Sequence, residues 1–199
     1  MNMRKYFNML AEKWDEIVWH DPQKLNKIVE QIGLKKGDKV LDVGCGTGVL
    51  VEYILKFVGP EGCIIGVDVS EKMIEKAKEK YKEITNVNFL HNDVMNLDFK
   101  DFFDAIICYS VFPHIEDKEN AIKKFSQMLK KDGKLVIAHS QSREKINSLH
   151  KSLPEPVKGH FLPQMNEIIH LCRKAQLIEV LSIDNSEMFL LIAKKELIN

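Results

Sequence analysis

Several things that this chain of 199 residues lacks narrow its reading. No apolar run approaches the roughly 18 residues that a membrane span requires, so none is expected. The opening stretch, MNMRKYFNMLAEKWDE, carries charges where a secretory leader would be apolar, and a cytosolic protein is expected. Net charge is absent, with 29 Lys+Arg against 29 Asp+Glu. That balance argues against a mainly electrostatic grip on nucleic acid or an anionic membrane, and leaves room only for local basic patches. Cysteine is scarce: Cys45, Cys63, Cys108 and Cys172 form no CxxC and no pairing pattern, as expected of buried free thiols in a reducing compartment. Repeats and low-complexity tracts are missing too. The length suits one well-buried core, so a single domain over 1–199 is expected, with residues 1–30 as an N-terminal helical cap.

What is present alternates. Short apolar runs exchange with helix-period segments, the pattern of a parallel sheet covered on both faces. KVLDVG reads as a first strand, followed by a helix burying Leu50, Val51, Ile54, Leu55 and Val58. GPEG breaks that helix before a second strand, CIIGVDV. Ser70 then caps a helix over EKMIEKAKEKYKE with Met73, Ile74, Ala77 and Tyr81 facing the core. The spacing predicts further strands at VNFLHND and FDAIICYS, and a helix over 118–130 burying Ile122, Phe125 and Leu129. KDG ends that helix before strand KLVIAHS. LPEPVKGHFLP, rich in proline, is a loop or lid. A helix over QMNEIIHLCRKAQ follows, and LIEVLSI and MFLLIAKK, separated by DNSE, make an antiparallel pair.

The chemistry starts at VLDVGCGTGVL, where Gly44, Gly46 and Gly48 join strand to helix and let backbone approach a ligand closely. Asp68 ends the second strand 20 residues beyond Gly48. In a right-handed βαβ unit that position adjoins the loop, where a carboxylate can accept both hydroxyls of a ribose. A plain capping role is the alternative, but Ser70 already supplies a cap. The glycine spacing is GxGxG rather than GxGxxG, and Asp42 stands directly before the loop. A carboxylate repels a pyrophosphate and attracts an ammonium or sulfonium, which favours S-adenosylmethionine over NAD. Asp93, 25 residues beyond Asp68, with Val94 after it, is placed to meet the adenine, or else to close a strand-end turn. Cys45 in the loop, Val69 and Met73 after the ribose acid, and Tyr109 at the end of the fourth strand complete the candidate cofactor set, although Met73 and Tyr109 also suit the core.

With these residues in view, the chain resembles the class I S-adenosylmethionine-dependent methyltransferases of the small-molecule, ubiquinone/menaquinone-methyltransferase-like type. VLDVGCGTG is similar to their first motif, GVDVS to the ribose-binding segment, HNDVMNLDF to the adenine segment and FDAIICYSVFPHIED to the segment beside the methyl group. FNMLAEKWDE is similar to the helix that folds over the active site in such enzymes. The resemblance covers about residues 37–140. It implies an α/β fold, a three-layer α-β-α Rossmann-like sandwich whose mostly parallel seven-stranded sheet has order 3-2-1-4-5-7-6 and an antiparallel last strand. It also implies methyl transfer to a small-molecule acceptor that it does not identify.

Acceptor groups are expected at the carboxyl ends of strands four and five. His114 and His139 stand there and are the candidate catalytic residues. The stretch HSQSREKINSLH follows. If Ser142 caps a helix, Arg143, Asn147 and His150 share one face, while Ile146, Leu149 and Leu153 make the apolar one. The polar face is either a solvated surface or an acceptor-binding set, and residues 140–163 would be acceptor-site helix and lid. One version makes His114 or His139 a general base, with Arg143 on an anionic acceptor group. The other has three of His114, His139, His150 and His160 hold a divalent metal, though their spacing matches no compact ligand motif. Phe7, Trp14 and Trp19 give the N-terminal helix an apolar face for docking or acceptor contact. The rivals are an NAD-dependent oxidoreductase on a similar sheet and a module that binds S-adenosylmethionine without turnover.

Overall fold

The alternation of strand and helix periods folds as it reads. A computed structural model describes residues 1–196, and its strands form one seven-stranded sheet of order β3-β2-β1-β4-β5-β7-β6. The chain is an α/β protein whose sheet is mostly parallel, with helices around it. It divides into two units, residues 1–97 and the part from Asp98 onward. No helix among the described residues is long and apolar enough to cross a membrane.

The first unit opens with helices α1 (Met3–Leu10), α2 (Trp14–Ile17) and α3 (Pro22–Ile32). Asp21 caps α3 by accepting from the amides of Gln23 and Lys24, Pro22 stands in its first turn, and Gly33 closes it in the left-handed conformation. Strand β1 (Lys39–Val43) leads into α4 (Val51–Val58), β2 (Cys63–Asp68), α5 (Glu71–Lys80) and β3 (Val87–His91). Both strand pairs are parallel, with Asp42 opposite Gly66 and Asp68 opposite His91. Ser70 caps α5 by accepting from the Met73 amide. Met73, Ile74 and Ala77 are buried, whereas most of the Lys and Glu side chains of this helix face out. Burying a side chain the size of Met73 or Ile74 contributes roughly 1.5–3 kcal/mol.

The second unit holds β4 (Phe103–Tyr109), α6 (Lys118–Met128), β5 (Leu129–His139), α7 (Arg143–Ser152), α8 (Met165–Lys174), β6 (Leu177–Asp184) and β7 (Phe189–Lys195). β4 and β5 run parallel; β7 is antiparallel to both β5 and β6. α8 packs on β6 and on α6.

One boundary differs from the sequence expectation. The helix stops at Met128, not 130, because Leu129 already pairs with Phe103 while the next pair is Ala105 with Lys134. Residues 130–133 bulge out between those pairs. Asp132 takes φ 61° there, and a Cβ on Gly133 would lie 2.9 Å from the Lys130 carbonyl oxygen. KDG therefore shapes the start of β5 instead of separating it from the helix.

Candidate cofactor and acceptor sites

In the first unit, three parallel strands end side by side at Val43, Asp68 and His91. The chain leaves β1 through the glycine loop, where the amides of Gly44 and Cys45 both donate to the Val67 carbonyl, at 2.8 and 3.1 Å. Asp68 closes on the loop from β2: one carboxylate oxygen accepts from the Gly46 amide at 3.0 Å, the other from the Ser70 amide at 2.8 Å. The adjacency inferred from spacing is thus a direct hydrogen bond. Burial raises the Asp68 pKa, and these backbone donors oppose the rise.

Glycine is needed at 48 for two reasons. Its φ is 85°, and a Cβ would lie 2.7 Å from Cε2 of Tyr81. Tyr81 also donates from its hydroxyl to the Gly48 carbonyl at 2.9 Å. Its ring is buried, and burial pushes its pKa up. In the sequence Tyr81 read only as the last core position of its helix; the bond to the loop has no local signal. At Gly46 the need is conformational alone, with φ 53° and nothing nearer a Cβ than Trp14 Nε1 at 3.8 Å.

Asp42 is the most unusual group of this unit. Its side chain is buried, and among the described residues Oδ2 has no hydrogen-bond partner. Burial first, and the neighbouring Asp68 second, push its carboxyl up to about 8. Two acids close enough to repel, one of them with an orphaned buried oxygen, make a place for a cation. The ammonium and sulfonium of S-adenosylmethionine are such cations, and the positive-φ glycines of the loop bring backbone close without a Cβ. The residues present fit that cofactor.

The other candidates of this unit divide. Cys45 is buried, its thiol pushed well up by burial and then by Asp42 and Asp68. Met73 is buried in the core. Val94 is buried, whereas Asp93 is exposed and uses Oδ1 to cap the short turn Val94–Asn96 through the Met95 amide. Val69 is half-buried, and its carbonyl accepts from His91 Nε2 at 3.2 Å.

The N-terminal segment adds partners that sequence distance hid. Asp15 accepts from the Thr47 hydroxyl at 2.5 Å, and Asn8 accepts from the Ser70 hydroxyl at 2.6 Å. Arg4 makes a two-pronged bond to Glu71, at 2.8 and 3.0 Å. Phe7 and Trp14 pack edge to face. Trp19, expected on the same apolar face, is instead 77% exposed, because α2 ends at Ile17 and the chain continues irregularly to α3.

In the second unit, four histidines from four elements gather. His114 ends a short turn after β4, His139 ends β5, His150 lies on α7 and His160 in the irregular segment 153–164. The His114 and His150 rings stack with centroids 5.0 Å apart, and His114 Nδ1 lies 3.4 Å from His160 Nδ1. Burial lowers His114 to about 3, helped by His150, His160, His139 and Lys118. His139 is lowered to about 3 as well, by burial and then His150. Both rings are therefore neutral. His139 is 1% exposed, and among the described residues neither ring nitrogen has a hydrogen-bond partner. Tyr109 is buried and shares a 2.8 Å bond with the Ser140 hydroxyl.

The capped helix after His139 forms, with Ser142 accepting from the Lys145 amide, and its polar face is not a solvated one. His150 is buried and Arg143 and Asn147 are half-buried, while Leu149 is 48% exposed. Asn147 is spent on backbone, donating to the Leu162 carbonyl at 3.0 Å and accepting from its amide at 2.8 Å. His150 Nδ1 donates to the His160 carbonyl. Arg143 meets carboxylates of this chain, with Nη2 3.2 Å from Glu144 and Nε 3.5 Å from Asp184. No three His, Cys, Asp or Glu side chains among the described residues are arranged to hold a metal ion. His114, His150 and His160 stack on or bond to one another or to backbone, and His139 lies edge-on to Phe189.

A loop of positive-φ glycines between strand and helix, an acid strapped to it and this strand order define a class I, S-adenosylmethionine-dependent methyltransferase. A family profile described as a methyltransferase domain matches residues 34–197, and the chain belongs to that family. Demethylmenaquinone methyltransferase of Staphylococcus aureus is 34% identical over 140 residues, which cover 67% of this chain and 58% of that protein. This chain thus matches a little over half the length of its curated relative. Among solved structures, a SAM-dependent methyltransferase from Aquifex aeolicus is 22% identical with a TM-score of 0.73, covering 94% of this chain and 97% of the other. Magnesium protoporphyrin IX methyltransferase from Synechocystis PCC 6803, solved with bound S-adenosylhomocysteine, is 20% identical with a TM-score of 0.73, covering 97% of each chain. At these identities the two structures share the fold.

Proposed function

We propose that this chain transfers the methyl group of S-adenosylmethionine to an uncharged or pre-ionised small-molecule acceptor. The observation that carries the reading is Asp42, a buried carboxyl with an orphaned oxygen beside a second acid and a glycine loop. A cationic ligand removes the repulsion between the acids and satisfies the orphan together. Asp68 takes the ribose hydroxyls with its remaining lone pairs, Asp93 and Val94 meet the adenine, and residues 1–30 cap the loop. The bound cofactor supplies an electrophilic methyl on sulfur, open to in-line displacement.

The acceptor end, on this reading, is the histidine site of the second unit, since ligands of open sheets bind beyond the carboxyl ends of the strands. His139 orients the acceptor. Its two unpaired ring nitrogens, one donor and one acceptor when neutral, call for a hydroxyl or carbonyl partner. Imidazoles lowered to about 3 hold a transferred proton poorly, so His114 and His139 serve better as hydrogen-bonding groups than as general bases. An acceptor that arrives in its nucleophilic form suits them. The similarity to a demethylmenaquinone methyltransferase makes a demethylmenaquinone, reduced to its nucleophilic quinol, the first acceptor to try.

The test is calorimetric titration with S-adenosylmethionine, S-adenosylhomocysteine and NADH, followed by an assay for S-adenosylhomocysteine formed with that acceptor and a panel of phenols and thiols. Micromolar binding of the first two ligands and turnover with some acceptor support the proposal. NADH binding alone overturns it; cofactor binding with no turnover on any acceptor makes the chain a binding module.

A further inference from the structure

The polar stripe of α7 poses a question that acceptor binding does not answer. Asn147 and His150 direct their polar atoms at one short piece of chain, residues 160–162. That piece belongs to segment 153–164, which has no regular structure yet is fastened at several points. Within it the amides of Val157 and Lys158 donate to the Pro154 carbonyl, and the His160 amide donates to the Val157 carbonyl. The Leu162 amide is held by Asn147. From the other side, His114 reaches the His160 ring at 3.4 Å while lying stacked on His150. Val157 and Leu162 are buried beneath, and Phe161 is 42% exposed. A segment with so little internal bonding stays in place through these attachments.

We propose that segment 153–164 is a lid on the histidine site, latched by His114, His150, His160 and Asn147, and released by protonation of His114. This inference concerns regulation of the acceptor end and rests on the methyltransferase reading for its purpose, though not for its physics.

The latch is proton-sensitive for geometric reasons. Two ring nitrogens 3.4 Å apart form a hydrogen bond only if one carries a hydrogen and the other a lone pair. Protonating the acceptor ring turns the bond into a repulsion between two donors. The groups that act most strongly on His114 come from every side: His139 on β5, His150 on α7, His160 on the lid and Lys118 on α6. Burial is the main obstacle to a proton on His114, and the Lys118 ammonium adds to it, whereas His139 is itself neutral. Lys118 donates to the carbonyls of Pro113 and Ile115, which holds its ammonium next to the turn bearing His114.

The sign follows from linkage. Closed, His114 is held far below its ordinary 6.5, at about 3; opened to water, it regains ordinary basicity. The open form therefore takes up protons first, and the closed form loses ground as pH falls below the ordinary histidine range. Between pH 7.5 and 5.0 this single group shifts the open-to-closed ratio by about thirtyfold.

Hydrogen exchange read by mass spectrometry on the full chain, corrected for the intrinsic pH dependence of exchange, tests this. The amides of Val157, Lys158, His160 and Leu162 report the lid, and those of β4 and β5 report global stability. In the wild type the lid amides lose protection by about ten- to thirtyfold from pH 7.5 to 5.0 while the strand amides hold. His114→Phe keeps a stacking ring without a titrating nitrogen and flattens that response. Asn147→Ala removes both clamps on Leu162 and lowers lid protection at every pH. Lid protection that does not change with pH, or a full pH response retained in His114→Phe, overturns the proposal. Calorimetry with S-adenosylhomocysteine at pH 7.5 separates the two ideas: loss of cofactor binding refutes the methyltransferase reading and leaves the exchange result standing, and the reverse also holds.

Discussion

Replacing Asp42 with Asn tests the cofactor site at its most exposed energetic point. Asp42 is fully buried and its carboxyl titrates at about 8 in the folded chain, against an ordinary value of 3.8. Because the folded value is the higher one, the folded chain keeps a proton that the unfolded chain releases. Stability is therefore greatest at low pH and declines as pH rises from the ordinary carboxyl range to about 8, with no further loss above that. At about 1.4 kcal/mol per pH unit the whole decline is of order 5 kcal/mol, of which about 3 kcal/mol falls between pH 5.5 and 8.5. Asn has nearly the same shape and no titration. The wild type should therefore lose about 3 kcal/mol relative to Asp42→Asn between those two pH values, read from urea midpoints with the slope held common. The same substitution removes the charge that a cofactor cation would meet, weakening S-adenosylmethionine roughly 10- to 100-fold by loss of a charge-assisted bond. In the wild type, binding at pH 7 should release protons as Asp42 ionises against the ligand, seen as calorimetric enthalpies that differ between phosphate and Tris buffers. A parallel pH dependence of the two proteins, with buffer-independent enthalpies, would refute the account of Asp42 as an unpaired acid awaiting a cation.

Two further substitutions probe the loop. Gly48→Ala forces both a left-handed φ and a contact with the Tyr81 ring, and should cost about 2–4 kcal/mol, lowering the melting temperature by roughly 5–15 °C; an unchanged melting curve would mean that the loop is conformationally soft. Tyr81→Phe keeps the ring against Gly48 but removes the hydroxyl bond to its carbonyl, and should cost about 1 kcal/mol in stability with a fewfold loss of cofactor affinity, measured by urea unfolding and calorimetry.

Strand and helix placement was legible because both periods are local and the caps are local too. Ser70 and Ser142 each cap a helix through the amide three residues on. The pairing of Asp68 with the loop was legible as well, since a βαβ unit fixes that adjacency. What could not be read depends on contacts far apart in the chain. Helix period runs on to 130 because it says nothing about Leu129 pairing with Phe103. The stripe Arg143–Asn147–His150 was visible as a stripe, but whether it faced water, ligand or backbone turned on residues 160–162, which share no periodicity with it. Tyr81 was legible as a core residue and illegible as a brace, because its hydroxyl bonds to a carbonyl 33 residues earlier.

Gly66 sits in the middle of β2, yet a Cβ there would lie 2.9 Å from Cys45 Sγ and 2.8 Å from the Phe89 ring. The sulfur of a loop residue thus occupies the volume that a strand residue leaves vacant. Position 66 never needs to touch a ligand to matter to one: a methyl group added there would have to displace the Phe89 ring and the sulfur of Cys45, a residue of the loop that Asp68 holds. Strand and loop are in this sense a single moulded part, and the size of one side chain sets the permitted size of the other.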